Sequence, residues 1–384
     1  MIYLDHNATT PVDSRVFDAM VPYLREHFGN ASSYYQVGRT TKASLERART
    51  VAAQFLGVRS REIIFTAGGT ESDNLAVRGV AQALKKTGKH IITSSVEHHA
   101  VLRTCRQLEA DGFSVTYLPV DGQGRVDPDD VRKNIRPDTI IISIIYANNE
   151  TGVIQPVEHI GSLAREHGVC FHTDAVQAVG KLPVCAGDIF ADLLSLSAHK
   201  LYGPKGVGAL FVREGVPFAS VITGGSHEGG FRAGTENIPG IIGLAEALKL
   251  AAADQEEETS RLAVLRDRLE QEIENSISDV CINGRKAPRV PNTSSISFRL
   301  IDGESVLLHL DLQGICASTG SACTTGQADA SHVLLAMGVD PLIAQGTIRF
   351  SLGRGTTERD ITTTVAALVD ITHKLRSISS LKAL

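Results

Sequence analysis

Two short runs carry chemically capable side chains at the ends of apolar stretches. The first is Phe171-His172-Thr173-Asp174-Ala175-Val176-Gln177. The second is Leu194-Ser195-Leu196-Ser197-Ala198-His199-Lys200-Leu201-Tyr202-Gly203-Pro204-Lys205-Gly206. Each reads as a short strand that ends in polar residues. In an open parallel sheet, ligands sit outside the carboxyl ends of the strands, so Asp174 and Lys200 are expected to converge there. A lysine that can form a Schiff base, facing a buried carboxylate, is what pyridoxal phosphate needs. The carboxylate keeps the pyridine nitrogen protonated and the ring an electron sink. A lysine and an aspartate on two solvated loop ends would look the same, and the pair alone does not separate these readings.

Other motifs point to the same crevice. Phe65-Thr66-Ala67-Gly68-Gly69-Thr70-Glu71-Ser72-Asp73-Asn74 reads as a strand, a glycine turn and a helix start. There, backbone amides at Gly69 and Thr70 and the helix dipole favour an anion. No Gly-Lys-Ser/Thr follows and no Gly-x-Gly-x-x-Gly is present; alone, such a turn is more often structural. Ser197 and His199, just before Lys200, could add phosphate donors. Glu97-His98-His99-Ala100 follows a strand and opens a helix, which brings His98 to the strand ends. Its flat imidazole can stack on a pyridine ring or move protons near neutral pH; a surface histidine at a helix start is the plainer alternative. Asn149, in Asn148-Asn149-Glu150-Thr151-Gly152, could hold a carboxylate or a cofactor oxygen, or serve only the turn. Cys323 lies in a small, polar, glycine-containing stretch from about 317 to 331, expected to be an exposed, mobile loop. A thiol there could reach a substrate sulfur, whereas structural cysteines more often sit among apolar residues.

The elements that must position these groups follow from periodicity. At 384 residues the chain is long enough for two domains. From about Val16 to Ala253, apolar strands alternate with helical segments, which implies crossover units and a mainly parallel sheet. Expected strands are 62–65, 90–93, 140–146, 169–173, 193–196 and 208–212. The acidic run Asp254–Glu258 reads as a solvated helix start, and Leu262, Leu265, Leu269, Ile273 and Ile277 continue it as an amphipathic helix. Beyond Asn283, Ser295–Leu300 alternates like a half-buried strand. A large α/β domain over 15–258 is expected, with a smaller α+β domain from 1–14 and 259–384.

The composition excludes several classes. It is 42% apolar and 21% charged, without tryptophan, and the net charge is −5. No basic stretch with interleaved aromatics offers a nucleic-acid footprint. Ile140–Ile145, the most apolar run, is far shorter than a membrane span. No basic and apolar leader opens the chain. The six cysteines show no Cys-x-x-Cys, so neither a disulfide framework nor a zinc site is expected, and the reducing cytoplasm is the expected compartment. No metal centre is expected. An iron–sulfur role through Cys281, Cys316 and Cys323 is disfavoured because no close ligand pair exists, leaving at most transient ligation by Cys323.

With these residues in view, the chain resembles the cysteine desulfurases, which are fold-type I pyridoxal-phosphate enzymes. The resemblance runs almost end to end. It rests on Tyr3–Pro11, Ser197–Gly206, Arg232-Ala233-Gly234-Thr235-Glu236-Asn237, Gly320-Ser321-Ala322-Cys323 and Ile348-Arg349-Phe350-Ser351-Leu352-Gly353-Arg354. It implies that Lys200 is the Schiff-base lysine and Asp174 the partner of the pyridine nitrogen. It makes Gln177 the donor to the ring's phenolate oxygen and His98 the stacking and acid–base residue. Gly69, Thr70, Ser197 and His199 would bind phosphate, and Thr235 would reach the phosphate of a second subunit, which implies a homodimer. Asn149 would hold the ring oxygen, and Asn149 and Arg354 the substrate carboxylate. Cys323 would take sulfur from L-cysteine as a persulfide, leaving L-alanine, for an iron–sulfur scaffold or another acceptor protein. After Cys323 the chain reads Thr-Thr-Gly-Gln-Ala-Asp-Ala-Ser, where relatives commonly carry Leu-Glu-Pro-Ser. A selenocysteine lyase or an aminotransferase would share Lys200 and Asp174 but needs no Cys323. A non-catalytic docking subunit would have no physical need for Lys200, Asp174, His98 and Cys323 together.

Overall fold

The apolar run that begins at Ile140 does not alternate because both of its faces are covered, as in the centre of a parallel sheet. The computed structural model describes residues 1–319 and 330–378. Within them the strands are β1 (Ile2–Tyr3), β2 (Ile63–Thr66), β3 (His90–Ser94), β4 (Ser114–Leu118), β5 (Thr139–Ser143), β6 (Cys170–Asp174), β7 (Leu193–Ser197), β8 (Gly208–Val212), β9 (Val280–Ile282), β10 (Thr293–Phe298), β11 (Ile315–Cys316) and β12 (Thr347–Ser351). Seven of them form the central sheet in the order β2-β8-β7-β6-β5-β3-β4.

Strands β3 to β7 run parallel, with a helix after each of β3, β4 and β5 as the alternation predicts, whereas residues 175–192 join β6 to β7 without one. Strand β8 is antiparallel to both β2 and β7. Only residues 198–207 link β7 to β8, too few for the helical crossover that a parallel partner needs. The edge strand β4 has no apolar run to mark it: Ser114 is exposed and Val115, Thr116 and Tyr117 are half-buried.

The acidic run does not start a helix. One helix of 39 residues spans Ile238–Ser276, opened by Asn237, whose side chain accepts the Gly240 N–H, and by Pro239 in its first turn. Its first half buries Ile241, Leu244 and Leu248 in the core around the central sheet. Its second half buries Leu262, Leu265, Leu269 and Ile273 in another core, which also contains Leu4, Phe298 and Phe350. Asp254–Glu258 lies between the two apolar stretches. The second core is lined by an antiparallel sheet in the order β12-β10-β9 and by β1 paired parallel with β11. Among the described residues, no helix is long and apolar enough to cross a membrane.

Candidate active site

Parallel pairing sets Asp174 of β6 opposite Ser195 of β7, so the two strands leave the sheet at the same end. Beyond Ser197 the chain turns through Ala198–Lys200. The Lys200 Nζ donates to the backbone carbonyls of Asn7 and, at 2.7 Å, of Ala8. Asp174 is 4% exposed and accepts the Val176 N–H at 2.9 Å. Burial pushes its carboxyl up to about 6, while the Val176 N–H and the Lys200 charge pull the other way.

Asp73, quoted in the glycine-turn motif but not singled out there, stands directly behind Asp174. The ligand-capable atoms of Asp73, His98 and Asp174 all lie within 4.8 Å of one another. Burial, and then the Asp174 charge, raise the Asp73 carboxyl well above its ordinary range. Its Oδ1 has no hydrogen-bond partner among the described residues and sits 3.6 Å from His172 Nε2. The His172 ring is held between Ser143 Oγ (2.8 Å) and Ser195 Oγ (3.0 Å), and burial drives it down to about 3, so it is neutral. Lys200 favours charge on Asp174, and the proton of the carboxyl pair therefore rests on Asp73. The signal was present in the sequence: Asp73 lies one helical turn after Gly69, on the face that the helix Gly69–Leu84 buries.

His98 caps the helix His99–Ala110, its Nδ1 accepting the Ala100 N–H at 3.1 Å. The neutral ring therefore carries its proton on Nε2. Burial, Lys200 and His332 lower it to about 4, so at neutral pH it is an uncharged, flat donor. Glu97 beside it accepts from Ser94 Oγ (2.5 Å) and the Ile145 N–H (2.9 Å). Burial raises its carboxyl from 4.5 to about 8, against those hydrogen bonds. Between these values the folded chain holds a proton that the unfolded chain has released, so stability falls as pH rises through the window. For protein without added ligand, the unfolding free energy is expected to drop on the order of 1–3 kcal/mol between pH 5 and 8 from this group. Denaturant titrations of Glu97→Gln should show a smaller drop than wild type, and equal drops would remove Glu97 as the cause.

The glycine turn builds an anion cradle. Gly68 holds φ 147°, and a Cβ on Gly69 would lie 2.6 Å from Val176 Cγ2, so the turn packs closely only without side chains. Thr70, Ser197, His199 and Lys205 line the same open pocket. Ser197 Oγ is buried and has no hydrogen-bond partner among the described residues, a costly state unless a ligand oxygen satisfies it. His199 is tied through Nδ1 to Thr9 Oγ1 at 3.1 Å. Amides at a helix N-terminus, a cation and an orphaned hydroxyl fit a phosphate group, and Asp174 fits a protonated ring nitrogen.

The remaining expected residues fall in different places. Gln177 is buried; its Nε2 donates to the Asn7 carbonyl at 3.0 Å and its Oε1 accepts from Lys181. Asn149 is half-buried and its backbone carbonyl accepts from Asn7 Nδ2 at 3.2 Å and from an Arg349 nitrogen at 3.0 Å. Thr235 is exposed and does not line the pocket formed by Gly69, Thr70, Ser197 and His199. Cys323 lies outside the described residues. On either side of them, Ser318 exchanges backbone hydrogen bonds with Arg349, and Ser331 donates to Glu150.

Arg354 lies among acidic side chains. Its guanidinium is already engaged by Glu258 (2.9 Å), Asp13 (3.0 Å) and Asp254 (3.5 Å), and it stacks 4.5 Å over the Tyr202 ring. That is a clasp between the acidic run and the N-terminal segment, with no spare fork for a substrate carboxylate. Arg349, five residues earlier, is differently placed. It is buried, bonds Asp5 at 2.7 Å and the Asn149 carbonyl, and its Nε has no partner among the described residues. Strand alternation marks it: Ile348 and Phe350 pack in the core, so Arg349 projects to the opposite face of β12.

The chain belongs to the class-V aminotransferase family, whose family model matches residues 2–363. Within that class it is similar to proteins named cysteine desulfurase. It is 52% identical over 381 residues to the cysteine desulfurase IscS of Dictyoglomus turgidum, covering 99% of this chain and 97% of that relative. It is 50% identical over 380 residues to the cysteine desulfurase IscS of Methanosarcina thermophila, covering 99% and 94%. The solved structure of a NifS-like protein superposes with a TM-score of 0.91 at 39% identity, covering 97% of this chain and 100% of that one. The expected fold class, α/β with a mainly parallel central sheet of fold-type I, stands.

Proposed function

We propose that the protein is a cysteine desulfurase that holds pyridoxal 5'-phosphate on Lys200 and moves the sulfur of L-cysteine to Cys323. The observation that carries this reading is the meeting of Lys200 with the buried Asp174 beside the orphaned Ser197 hydroxyl. When bound, the cofactor supplies an electron sink to the substrate's α-carbon. Asp174 holds a proton at the ring nitrogen, with Asp73 keeping the second carboxyl neutral. His98 stacks on the ring and offers its Nε2 proton. Gly69, Thr70, Ser197 and His199 take the phosphate, and Gln177 and Asn149 turn polar groups toward the ring oxygen. Lys200 would hold the cofactor covalently and, as a free amine, would carry the proton that leaves the α-carbon.

Sulfur transfer then balances simply. The Cys323 thiolate forms an S–S bond to the substrate sulfur, and the C–S bond breaks with its electrons left on carbon. That carbon takes a proton, giving alanine and a Cys323 persulfide. Cys105 and Cys170 are poor substitutes, because burial pushes both thiols up to about 12 and keeps them protonated.

Arg349, rather than Arg354, is the substrate carboxylate clamp in this reading. Arg349→Gln is expected to raise the KM for cysteine at least about tenfold. Arg354→Gln should instead lower stability by roughly 2 kcal/mol, because three carboxylates lose their shared partner. A KM change confined to Arg354→Gln would return the clamp to that residue.

The cofactor-holding part comprises 15–258, and 1–14 with 259–384 forms the smaller part that presents Cys323. A homodimer would bring the exposed Thr235 of one subunit to the phosphate of the other, and an iron–sulfur scaffold or another acceptor protein would take the persulfide sulfur. Both partners, and a cytoplasmic location, belong to the proposal. Its direct test is alanine and sulfide release from L-cysteine with pyridoxal phosphate and a thiol reductant. Equal amounts of both are expected, and bound cofactor without either product would count against it.

A further inference from the structure

Lys181 is a half-buried amine that the proposed chemistry leaves unused. It follows Gln177 by four residues, in the turns after β6. Its Nζ donates to Gln177 Oε1 and, at 3.3 Å, to Asn7 Oδ1. An ammonium has donors and no acceptor, so both amide oxygens must face it and both NH2 groups must turn away. The Gln177 NH2 then meets the Asn7 carbonyl at 3.0 Å, the same oxygen that receives Lys200 Nζ. The Asn7 NH2 goes to Thr293 Oγ1 at 2.8 Å and to the Asn149 carbonyl at 3.2 Å. Asn292 adds a second donor to Asn7 Oδ1 at 3.2 Å, which reinforces that orientation. One cation thus sets the sense of two amides, whose far ends reach the Asn7 carbonyl shared with Lys200 and the Asn149 carbonyl.

We propose that Lys181 is a positioning residue: it locks the Gln177 side chain with its NH2 on the side of the Asn7 carbonyl that Lys200 shares, where a cofactor ring oxygen needs a donor. The inference rests on the reading that Lys200 carries pyridoxal phosphate. Without Lys181, the Gln177 amide can flip and present its oxygen to the ring oxygen, which turns a hydrogen bond into a repulsion. The ammonium is held at a cost. Burial, Lys200 and Arg349 lower it to about 7, and Glu258 alone among the named influences favours its charge. A side chain kept there only to fill space would be served as well by an apolar one.

The test compares Lys181→Met, Gln177→Leu and the double variant, each reconstituted with pyridoxal phosphate. Three quantities are read: cofactor dissociation constant, ratio of visible to near-ultraviolet absorbance, and the lysine trapped by borohydride. Lys181→Met is expected to weaken cofactor binding about tenfold and to lower the absorbance ratio, as loss of a hydrogen bond to a charged oxygen does. The double variant should be no worse than Gln177→Leu alone, because Lys181 acts through Gln177. A wild-type spectrum and affinity in Lys181→Met, or a double variant that shows the product of both losses, would overturn the inference. Should Lys181→Met fail to fold, Lys181→Ala, which removes the donor with less bulk, is read against the same outcomes. Trapping at a lysine other than Lys200 in wild type would instead remove the reading beneath it.

Discussion

Lys200→Ala is expected to abolish turnover of L-cysteine, by at least about a thousandfold, and to leave no cofactor trapped on the chain by borohydride. The loss should be chemical rather than structural. Lys200 Nζ bonds the backbone carbonyls of Asn7 and Ala8, and removing such bonds costs about 1 kcal/mol each. The rest of the helical turn at Ala198–Lys200 needs no lysine side chain. Two other amines make the experiment discriminating. Lys205 lines the phosphate pocket and Lys181 lies behind Gln177. Peptide mapping of the trapped wild-type protein should find the label on Lys200; label on Lys181 or Lys205 would sink the assignment.

Cys323→Ala is the second large effect, and it separates the chemistries that the fold allows. Alanine and sulfide should both fall to background while the yellow cofactor stays bound. Cys105 and Cys170 are poor replacements for the thiol, since both are held protonated by burial. Alanine formed without Cys323 would indicate a lyase that releases sulfur or selenium directly. Loss of colour with loss of activity would mean that Cys323 supports the cofactor site rather than accepting sulfur. No turnover in wild type, despite bound cofactor, would favour an aminotransferase or a desulfurase that waits for its acceptor protein.

The site was unevenly legible in the sequence. Asp174 and Lys200 could be paired from two strand endings, because parallel strands deliver their carboxyl ends to one edge. The glycine turn was equally readable, since a strand, two glycines and a helix start form a local pattern. Asp73, Asn7, Lys181 and Arg349 were harder. Asp73 and Arg349 left only a periodicity signal, while Asn7 and Lys181 become significant only when residues far apart in sequence meet: Asn7 contacts Asn149, Thr293 and Lys200. The contacts of Arg354 were hidden for the same reason, because its carboxylate partners come from Asp13 and from the middle of the helix Ile238–Ser276. The acidic run was misplaced as a helix start because solvated acids favour first turns, yet here they answer a guanidinium at mid-helix.

What the sequence determined by itself is local and periodic: the apolar strands, the alternation that makes the sheet mainly parallel, the glycine cradle, and the motifs that place the chain in its family. Tertiary structure decided the direction of β8, the sharing of one long helix between two cores, and the charge state of the buried acids and imidazoles. The reason is physical. Strand and helix preferences are set by neighbours within a few residues, whereas burial, hydrogen-bond orientation and the partner of a guanidinium depend on groups that folding brings together.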